Sequence, residues 1–365
     1  MAKKILVLFG GVSTEHLISC RSAYNIILGL RRAGYTVFRT GITKEGRWGF
    51  FDGADEDILG MSWEDKLTFP TLSSEGHPIS LRDFIISSAC GNIPDVIFPA
   101  VHGINCEDGA LQGVLELSGF PYVGSGVLAS AVLMDKLYAK NLFAKARIPQ
   151  CRFVSATRRE IDKDAKTLAD KIITQLGIPC FLKPSNGGSS VGTMRADSRE
   201  DLITALAQVA KYDRTVLIEE FVHAREIEVA VMGNEKPIAS VAGEISTDET
   251  VPFYDYQTKY FSDDGAAVYL PAKLDDDTMK KVRKLAIKAY KYAGAKGLSR
   301  VDFFMDRVSG KIYLNEINTL PGFTAISLFP KAWEASGVPL DKLMRRLIKY
   351  ALEDFESKKR LENIG

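Results

Sequence analysis

The run Ile5-Leu-Val-Leu-Phe9 is unbroken apolar chain, stopped by Gly10-Gly11 and followed by helical spacing of apolar residues from Glu15 to Arg32. Gly34 ends that helix, Tyr35–Ile42 reads as a second strand, and Asp95–Val101 is another apolar strand with a helix after it from about Glu107 to Leu117. Strand–helix–strand order of this kind implies a parallel sheet with helices on its faces. The expectation is therefore an α/β chain (α+β in parts) opening on a Rossmann-like sheet. Met1-Ala2-Lys3-Lys4 ahead of the apolar run superficially resembles a signal peptide, but the run is too short and the glycines cut it off. A buried first strand is the better reading. The interval 43–92 carries weaker signals: Arg47–Phe51 reads as a hairpin strand and the rest as loops with short helices.

At 365 residues the chain is too long for one core, which suggests two or three domains. Met134–Ala146 reads as a helix ending before Ile148-Pro149, an entry into a second domain. From Cys151 to Glu219 the order is strand, helix, strand, Gly-rich loop, strand, helix, strand. Strands near Glu226–Met232, Lys236–Val241, Ser299–Met305 and Lys311–Ile317 follow. Helices Asp275–Tyr292, with an acidic first turn, and Leu340–Lys358 complete the chain. The expected division is 1–130, 131–219 and 220–365. A net charge of +1 gives no field that argues for nucleic acid or an anionic membrane, and no stretch is long enough to span a bilayer. Five scattered cysteines without a CxxC pair suit a reducing compartment, so a cytoplasmic protein is expected.

Three segments carry chemistry. In Lys183-Pro-Ser-Asn-Gly-Gly-Ser-Ser-Val-Gly192 a lysine closes a strand and a small, Gly/Ser-rich loop follows. Backbone N–H groups in such a loop can surround phosphate oxygens, although the lysine precedes the glycines and this is no Walker A loop. Alone, it reads equally as a flexible hairpin tip. In Ser299-Arg-Val-Asp302 and Leu314-Asn-Glu-Ile-Asn318, strand alternation puts Arg300 and Asp302 on one face, and Glu316 and Asn318 on one face. If the strands are neighbours, Asp302, Glu316 and Asn318 converge as hard oxygen ligands suited to Mg²⁺. The competing reading is a solvated face on which Arg300 pairs with Asp302 or Glu316. Val216-Leu-Ile-Glu219-Glu220-Phe221-Val222, with Glu226-Ile-Glu228 after it, can form a hinge that meets an adenine and a ribose, or an edge strand with solvated glutamates.

In this order the segments resemble the ATP-grasp superfamily. Gly10-Gly-Val-Ser-Thr-Glu15-His-Leu-Ile-Ser19 and His102-Gly-Ile-Asn-Cys-Glu107-Asp108-Gly-Ala-Leu-Gln-Gly113 are similar to the GGxSxExxxS and HGxxGEDGxxQG motifs of D-alanine–D-alanine ligases. Val123-Gly-Ser-Gly126 through Met134-Asp135-Lys136, Tyr254-Asp-Tyr-Gln-Thr-Lys259-Tyr260 and Asn318-Thr-Leu-Pro-Gly322-Phe-Thr324 extend the resemblance over about nine-tenths of the chain.

The resemblance implies an ATP- and Mg²⁺-dependent ligase that joins two D-alanines through an acyl phosphate, for peptidoglycan precursor synthesis. Two Mg²⁺ ions are implied, with Mn²⁺ able to substitute. Lys136 and Lys183 would hold the ATP phosphates, with Ser189 and Ser190 closing over them. Glu219, Glu220 and Val222 would meet the adenine and Glu226 the ribose, while Lys259 reaches the γ-phosphate as the 254–270 loop closes. Glu15 would take the ammonium of the first D-alanine, with Tyr260 and Ser189 joining it in a hydrogen-bonded group. Arg300 and the Gly322 N–H would stabilise charge on the reacting carboxyl oxygen. His102 would lie near the first substrate, and Ser327 and Leu328 at the second D-alanine. The metal ligands implied are Asp302, Glu316 and Asn318, and a homodimer is expected.

Two positions depart from the motifs. Cys106 stands where glycine is usual, which would strain the loop if that position needs a positive φ. Asn186-Gly187 replaces a bulkier pair. Resistance ligases that make D-alanyl-D-lactate tend to depart from tyrosine at the position of Tyr260, and several carry arginine where Leu328 stands, so D-alanine is expected in the second site. The rivals are D-serine or D-lactate ligation, another ATP-grasp carboxylate–amine ligase, and a silent nucleotide-binding regulator. A nicotinamide oxidoreductase built on strand-Gly10-Gly11-helix fails the GxGxxG spacing and has no ribose-binding acid at the end of the second strand.

Overall fold

The computed structural model describes residues 2–70, 80–188, 191–247 and 266–360. Strand β1 (Lys4–Gly10) is buried on both faces, with Ile5, Val7 and Phe9 in one core and Leu6 and Leu8 in another, and parallel neighbours flank its edges: β2 (Thr36–Ile42) on one side and β5 (Val96–Pro99) on the other. β3 (Trp48–Phe51) and β4 (Leu67–Thr68) extend this sheet antiparallel, giving the order β4-β3-β2-β1-β5. Helix α1 (His16–Arg32) makes the crossover from β1 to β2 and buries Cys20, Ala23, Ile26, Ile27 and Leu30. The weakly patterned interval holds α2 (Asp55–Leu59) and α3 (Leu81–Ser88).

The helix expected from Glu107 begins three residues later, as α4 (Ala110–Ser118), because the loop consumes both acids. Glu107 Oε1 accepts from Gly103 N at 2.9 Å, and Asp108 accepts from Asn105 N at 2.7 Å and Ala110 N at 3.1 Å. The helix expected over Met134–Ala146 is α6 (Lys136–Lys145), and a further helix, α5 (Val127–Met134), runs directly into it. Asp135 separates them with an extended backbone, and its carboxylate caps α6 by accepting from Leu137 N and Tyr138 N, both at 3.1 Å.

The central sheet, β6 (Phe153–Thr157), β7 (Cys180–Pro184), β8 (Met194–Ala196) and β9 (Thr215–Glu220), is antiparallel in the order β6-β9-β7-β8. Alternation sends Ala156, Cys180, Leu182, Val216 and Ile218 beneath α7 (Arg158–Leu176) and α8 (Arg199–Val209). The opposite face carries Phe153, Phe181, Lys183 and Glu219.

The C-terminal sheet contains β10 (Ala224–Gly233), β11 (Ile238–Thr247), β12 (Ala266–Tyr269), β13 (Gly297–Asp306) and β14 (Ile312–Asn318), in the antiparallel order β12-β11-β10-β13-β14. Ile227, Val229, Val231, Val301 and Phe303 pack on α9 (Asp276–Tyr292) and on α6, whose Ala139 and Phe143 join this core rather than that of the central sheet. The other face changes character along its length. Ala230, Met232 and Leu298 merge with the N-terminal core through α10 (Leu328–Ala335) and α11 (Leu340–Lys359), whereas Glu226, Glu228, Arg300 and Asp302 leave it charged. The N-terminal and C-terminal sheets therefore share one apolar core, and the central sheet has its own.

Candidate active site

The charged face of the C-terminal sheet is built by register. β13 and β14 are antiparallel neighbours with Arg300 opposite Asn318 and Asp302 opposite Glu316, so the three expected oxygen donors do lie side by side. Arg300 grips Asp302 bidentately, Nε to Oδ1 at 2.8 Å and Nη2 to Oδ2 at 2.6 Å, and its Nε is also 3.1 Å from Glu228 Oε2. All three side chains are buried, so this is not a solvated strand face. A carboxylate has about four lone-pair sites, and two remain on Asp302 beyond those directed at the guanidinium. Two carboxylates and one amide, with Glu228 opposite Asp302 on β10 but turned to the Arg300 guanidinium, form an incomplete oxygen shell. That suits a cation such as Mg²⁺, which keeps waters and phosphate oxygens as its other ligands.

A register shift between Asp302 and Phe303 leaves Asn315 as an extra residue of β14. The bulge turns Asn315 toward the central sheet, where its Oδ1 accepts from Lys183 Nζ at 3.4 Å. Lys183 stands 2.8 Å from Glu219 Oε2, and Lys140 Nζ stands 2.5 Å from Glu219 Oε1, off the axis of a good hydrogen bond. A carboxylate that was expected to face an adenine is thus enclosed between two ammonium groups. Lys136, one turn before Lys140 on α6, donates to the Gly187 carbonyl at 2.7 Å and lies 3.4 Å from Glu316 Oε2. Glu220 is committed to Arg152, accepting from its N at 2.7 Å and its Nε at 2.6 Å. Val222 lies in the 221–223 connection between β9 and β10, and Glu226 shares the face of Phe304 and Asp302. A cleft of about 500 Å³ at the end of α6, lined by Ile148, Gln150, Cys151 and Leu176, has Arg152 as its one charged side chain, already paired to Glu220.

Burial opposes charging Glu219, but the two lysines outweigh it and hold its carboxyl down at about 2, against an ordinary 4.5. A depressed carboxyl pKa stabilises the fold above about 4.5, and this stabilisation disappears as pH falls toward 2. The contribution is roughly 3 kcal/mol. Between pH 5 and pH 2.5 the wild type is therefore expected to lose most of that contribution in urea unfolding, about 2 kcal/mol beyond the loss shown by Glu219→Gln over the same interval. Parallel acid limbs for the two proteins would show that Glu219 is not held ionised.

On the N-terminal side, His102 is buried with both ring nitrogens engaged: Nδ1 3.0 Å from the Leu320 carbonyl and Nε2 3.0 Å from Ser22 Oγ. Burial lowers its pKa, yet hydrogen bonding and charge from Glu107, together with Glu15 and the Leu320 carbonyl, leave it raised overall. Ser22 Oγ also accepts from Phe323 N at 3.0 Å, and Asn25 Nδ2 donates to Phe323 O at 2.9 Å. The loop carrying Gly322 is thereby anchored on both sides of that glycine. Ser327 Oγ accepts from Thr324 N at 2.9 Å, while the Leu328 side chain is buried, facing Gly243. Glu15 is nearly buried, and its carboxylate approaches both Gly103 and Gly188, where added Cβ atoms would stand 2.9 Å and 3.9 Å from Oε2.

Ser189, Ser190, Lys259 and Tyr260 lie outside the described residues. Cys106 does not take a positive φ; Asn105 does, at 65°, so the cysteine is unstrained. Sequence reasoning passed over Lys140, Asn315, Ser22 and Asn25. The spacing Lys136-x-x-x-Lys140 on one helix face was the only signal for the first of them.

A family model described as D-ala D-ala ligase N-terminus matches residues 4–125, and one described as D-ala D-ala ligase C-terminus matches residues 142–349. The chain belongs to the D-alanine–D-alanine ligase family. The D-alanine–D-alanine ligase of Acetivibrio thermocellus is 45% identical, over 97% of this chain and 96% of its own. That of Thermoanaerobacter sp. strain X514 is 47% identical over 98% of each. Among solved structures, the D-alanine–D-alanine ligase of Coxiella burnetii superposes with a TM-score of 0.81 at 32% identity, covering 98% of this chain and 97% of its own. The VanG D-Ala:D-Ser ligase of Enterococcus faecalis gives 0.83 at 32%, covering 96% and 100%. The fold is ATP-grasp, and membership of the family implies a ligase that uses ATP and a divalent metal on small-molecule substrates. No helix among the described residues is long and apolar enough to cross a membrane.

Proposed function

We propose that the protein joins two D-alanines into D-alanyl-D-alanine at the expense of ATP, for peptidoglycan precursor synthesis. The observation that carries this reading is the position of Lys136, whose ammonium bridges the Gly187 carbonyl of the phosphate loop and Glu316 of the carboxylate pair. A triphosphate taken by Lys136 and Lys183 would lie against Asp302, Glu316 and Asn318. Those residues would hold Mg²⁺, two ions in this proposal with Mn²⁺ as a substitute, and the metal would supply neutralisation of phosphate charge.

The chain's own groups account for the remaining steps. Glu15 takes the ammonium of the first D-alanine, whose carboxylate attacks the γ-phosphate, so that the bond to the β-phosphate breaks, ADP leaves and an acyl phosphate forms. Ser189, Ser190, Lys259 and Tyr260 close over that mixed anhydride and keep water from it. The amine of the second D-alanine, positioned by Ser327 and the backbone at Leu328, attacks the acyl carbon after losing a proton. Charge that develops on the carboxyl oxygen meets Arg300 and the Gly322 N–H, and collapse of the tetrahedral intermediate releases phosphate. Glu219, Glu220 and Val222 border the adenine, Glu226 the ribose, and His102 holds the Gly322 loop beside the first substrate. The working units we propose are 1–130, 131–219 and 220–365, with α6 bridging the last two. Five free thiols support a reducing, cytoplasmic setting, and the exposed Leu117 and Leu128 support a homodimer.

Phosphate release should require ATP and D-alanine, and the product mass should be that of D-alanyl-D-alanine. D-Serine or D-lactate offered with D-alanine tests the second site, and a mixed product as the main species would reassign it. Release with none of these despite ATP binding would sink the D-alanine reading. Chelation of divalent cations is expected to abolish the reaction, with Mg²⁺ or Mn²⁺ restoring it. Glu316→Gln should raise the Mg²⁺ needed for half-maximal rate by about tenfold or more. An unchanged Mg²⁺ requirement would remove Glu316 from the ligand set.

A further inference from the structure

Lys140 has no part in the reaction above, yet it is one of the most buried charged side chains among the described residues, 3% exposed. Its ammonium lies 2.5 Å from Glu219 Oε1, and Lys183 lies 2.8 Å from Glu219 Oε2. An isolated buried ammonium is expensive, and Met or Leu would fill the same space on α6 at less cost. One buried carboxylate needs only one cation to be neutral, so the second lysine leaves a net positive charge inside the cluster. That charge faces the strand end from which the phosphate loop departs, because Lys183 is the next-to-last residue of β7.

The two lysines are also held differently. Lys140 is fixed: it sits on a helix packed into the C-terminal core, with its ammonium 5.3 Å from the Phe153 ring centre. Lys183 also lies near a ring, 5.8 Å from the Phe304 centre, but it ends a strand at the phosphate loop and its polar contacts are Glu219 and, at the long distance of 3.4 Å, Asn315. An ammonium has three donors, so Lys183 can turn toward a new acceptor while Glu219 stays neutralised by Lys140.

We propose that Lys140 is a positioning residue for nucleotide binding: by sharing the Glu219 carboxylate it leaves Lys183 with charge and a donor for the triphosphate. Without Lys140, Glu219 and Lys183 form a closed neutral pair, and an approaching phosphate must compete with a buried carboxylate for the same ammonium. The inference rests on the ATP-dependent reading of the site and adds to it a residue that need not touch ATP.

The test is calorimetric binding of a non-hydrolysable ATP analogue with Mg²⁺, without amino acid, to the full chain. Lys140→Met is expected to weaken binding about tenfold or more, and in turnover assays to raise KM for ATP while KM for D-alanine stays put. The double variant Lys140→Met/Glu219→Gln is read against Glu219→Gln alone, because both carry the same change at the proposed adenine contact; removing Lys140 should cost far less there than in the wild type. If Lys140→Met fails to fold, the comparison stays within the Glu219→Gln background: without the carboxylate Lys140 has nothing to share, so the double variant should bind the analogue within about threefold of Glu219→Gln alone. Binding by Lys140→Met within twofold of the wild type would overturn the inference alone. So would a loss from Glu219→Gln to the double variant as large as the loss from the wild type to Lys140→Met. Absence of analogue binding by the unaltered protein would overturn the nucleotide reading and this inference with it.

Discussion

Arg300→Lys is expected to lower turnover by about a hundredfold or more while leaving the protein folded. Arg300 lies between two buried carboxylates, paired bidentately with Asp302 and 3.1 Å from Glu228. Lysine keeps the positive charge, so neither acid is orphaned, but a single ammonium cannot reproduce the planar fork that fixes the guanidinium. The fork matters because Asp302 and Glu228 immobilise it before any substrate arrives, and preorganised donors stabilise developing charge without reorganising. Arg300→Met separates the two roles. It removes the cation as well as the fork, leaves two like charges facing each other, and should destabilise the fold by about 3–5 kcal/mol in denaturant titrations. In steady-state kinetics the Lys variant should lose kcat and kcat/KM for D-alanine together, the pattern of an interaction made in the transition state. If it keeps more than a tenth of wild-type turnover, Arg300 is only a counter-ion for its two neighbours.

Arg300 and Asp302 also show what strand alternation makes readable. Period-two spacing put them on one face and sent Val301 and Phe303 to the core, and the register of β13 on β14 then brought Glu316 and Asn318 alongside. Asn315 was not readable this way, because a bulge breaks the period it would have been judged by. Lys140 and Glu219 illustrate a different limit. A lysine on a polar helix face and a glutamate at a strand end each look solvated, and only the approach of α6 to the central sheet buries them as a pair. Ser22 and Asn25 are hidden for the same reason, since their partner Phe323 is some 300 positions along the chain. Long apolar periods yielded the helices α1, α9 and α11 nearly to the residue. Where apolar residues run all round, as in Val127–Met134, no face is marked and α5 went unread.

Gly10→Ala is expected to cost on the order of 3–5 kcal/mol, enough to leave little folded protein. Gly10 ends β1 with a φ of +89°, and a Cβ there would stand 2.2 Å from the Ile42 carbonyl oxygen. That oxygen cannot retreat freely, because it accepts from Gly11 N at 2.8 Å at the end of β2. Gly34 separates the two contributions: its φ is +85°, but nothing lies within 4 Å of an added Cβ, so Gly34→Ala should cost only about 1 kcal/mol. Urea unfolding of the two variants measures the difference, and similar losses for both would mean that the Ile42 contact yields. The expected asymmetry explains what the opening glycine pair is for. Gly10 N donates to Ser19 Oγ, which in turn donates to the Ala100 carbonyl, so the end of β1, helix α1 and the chain leaving β5 meet at this point. A backbone carbonyl already occupies the space beside Gly10. In a dinucleotide-binding turn the corresponding space is left for a pyrophosphate, whereas here the glycine lets two strands and a helix close together. Glu15 lies within the loop that this junction braces, so disturbing Gly10 displaces the carboxylate proposed to take the first D-alanine.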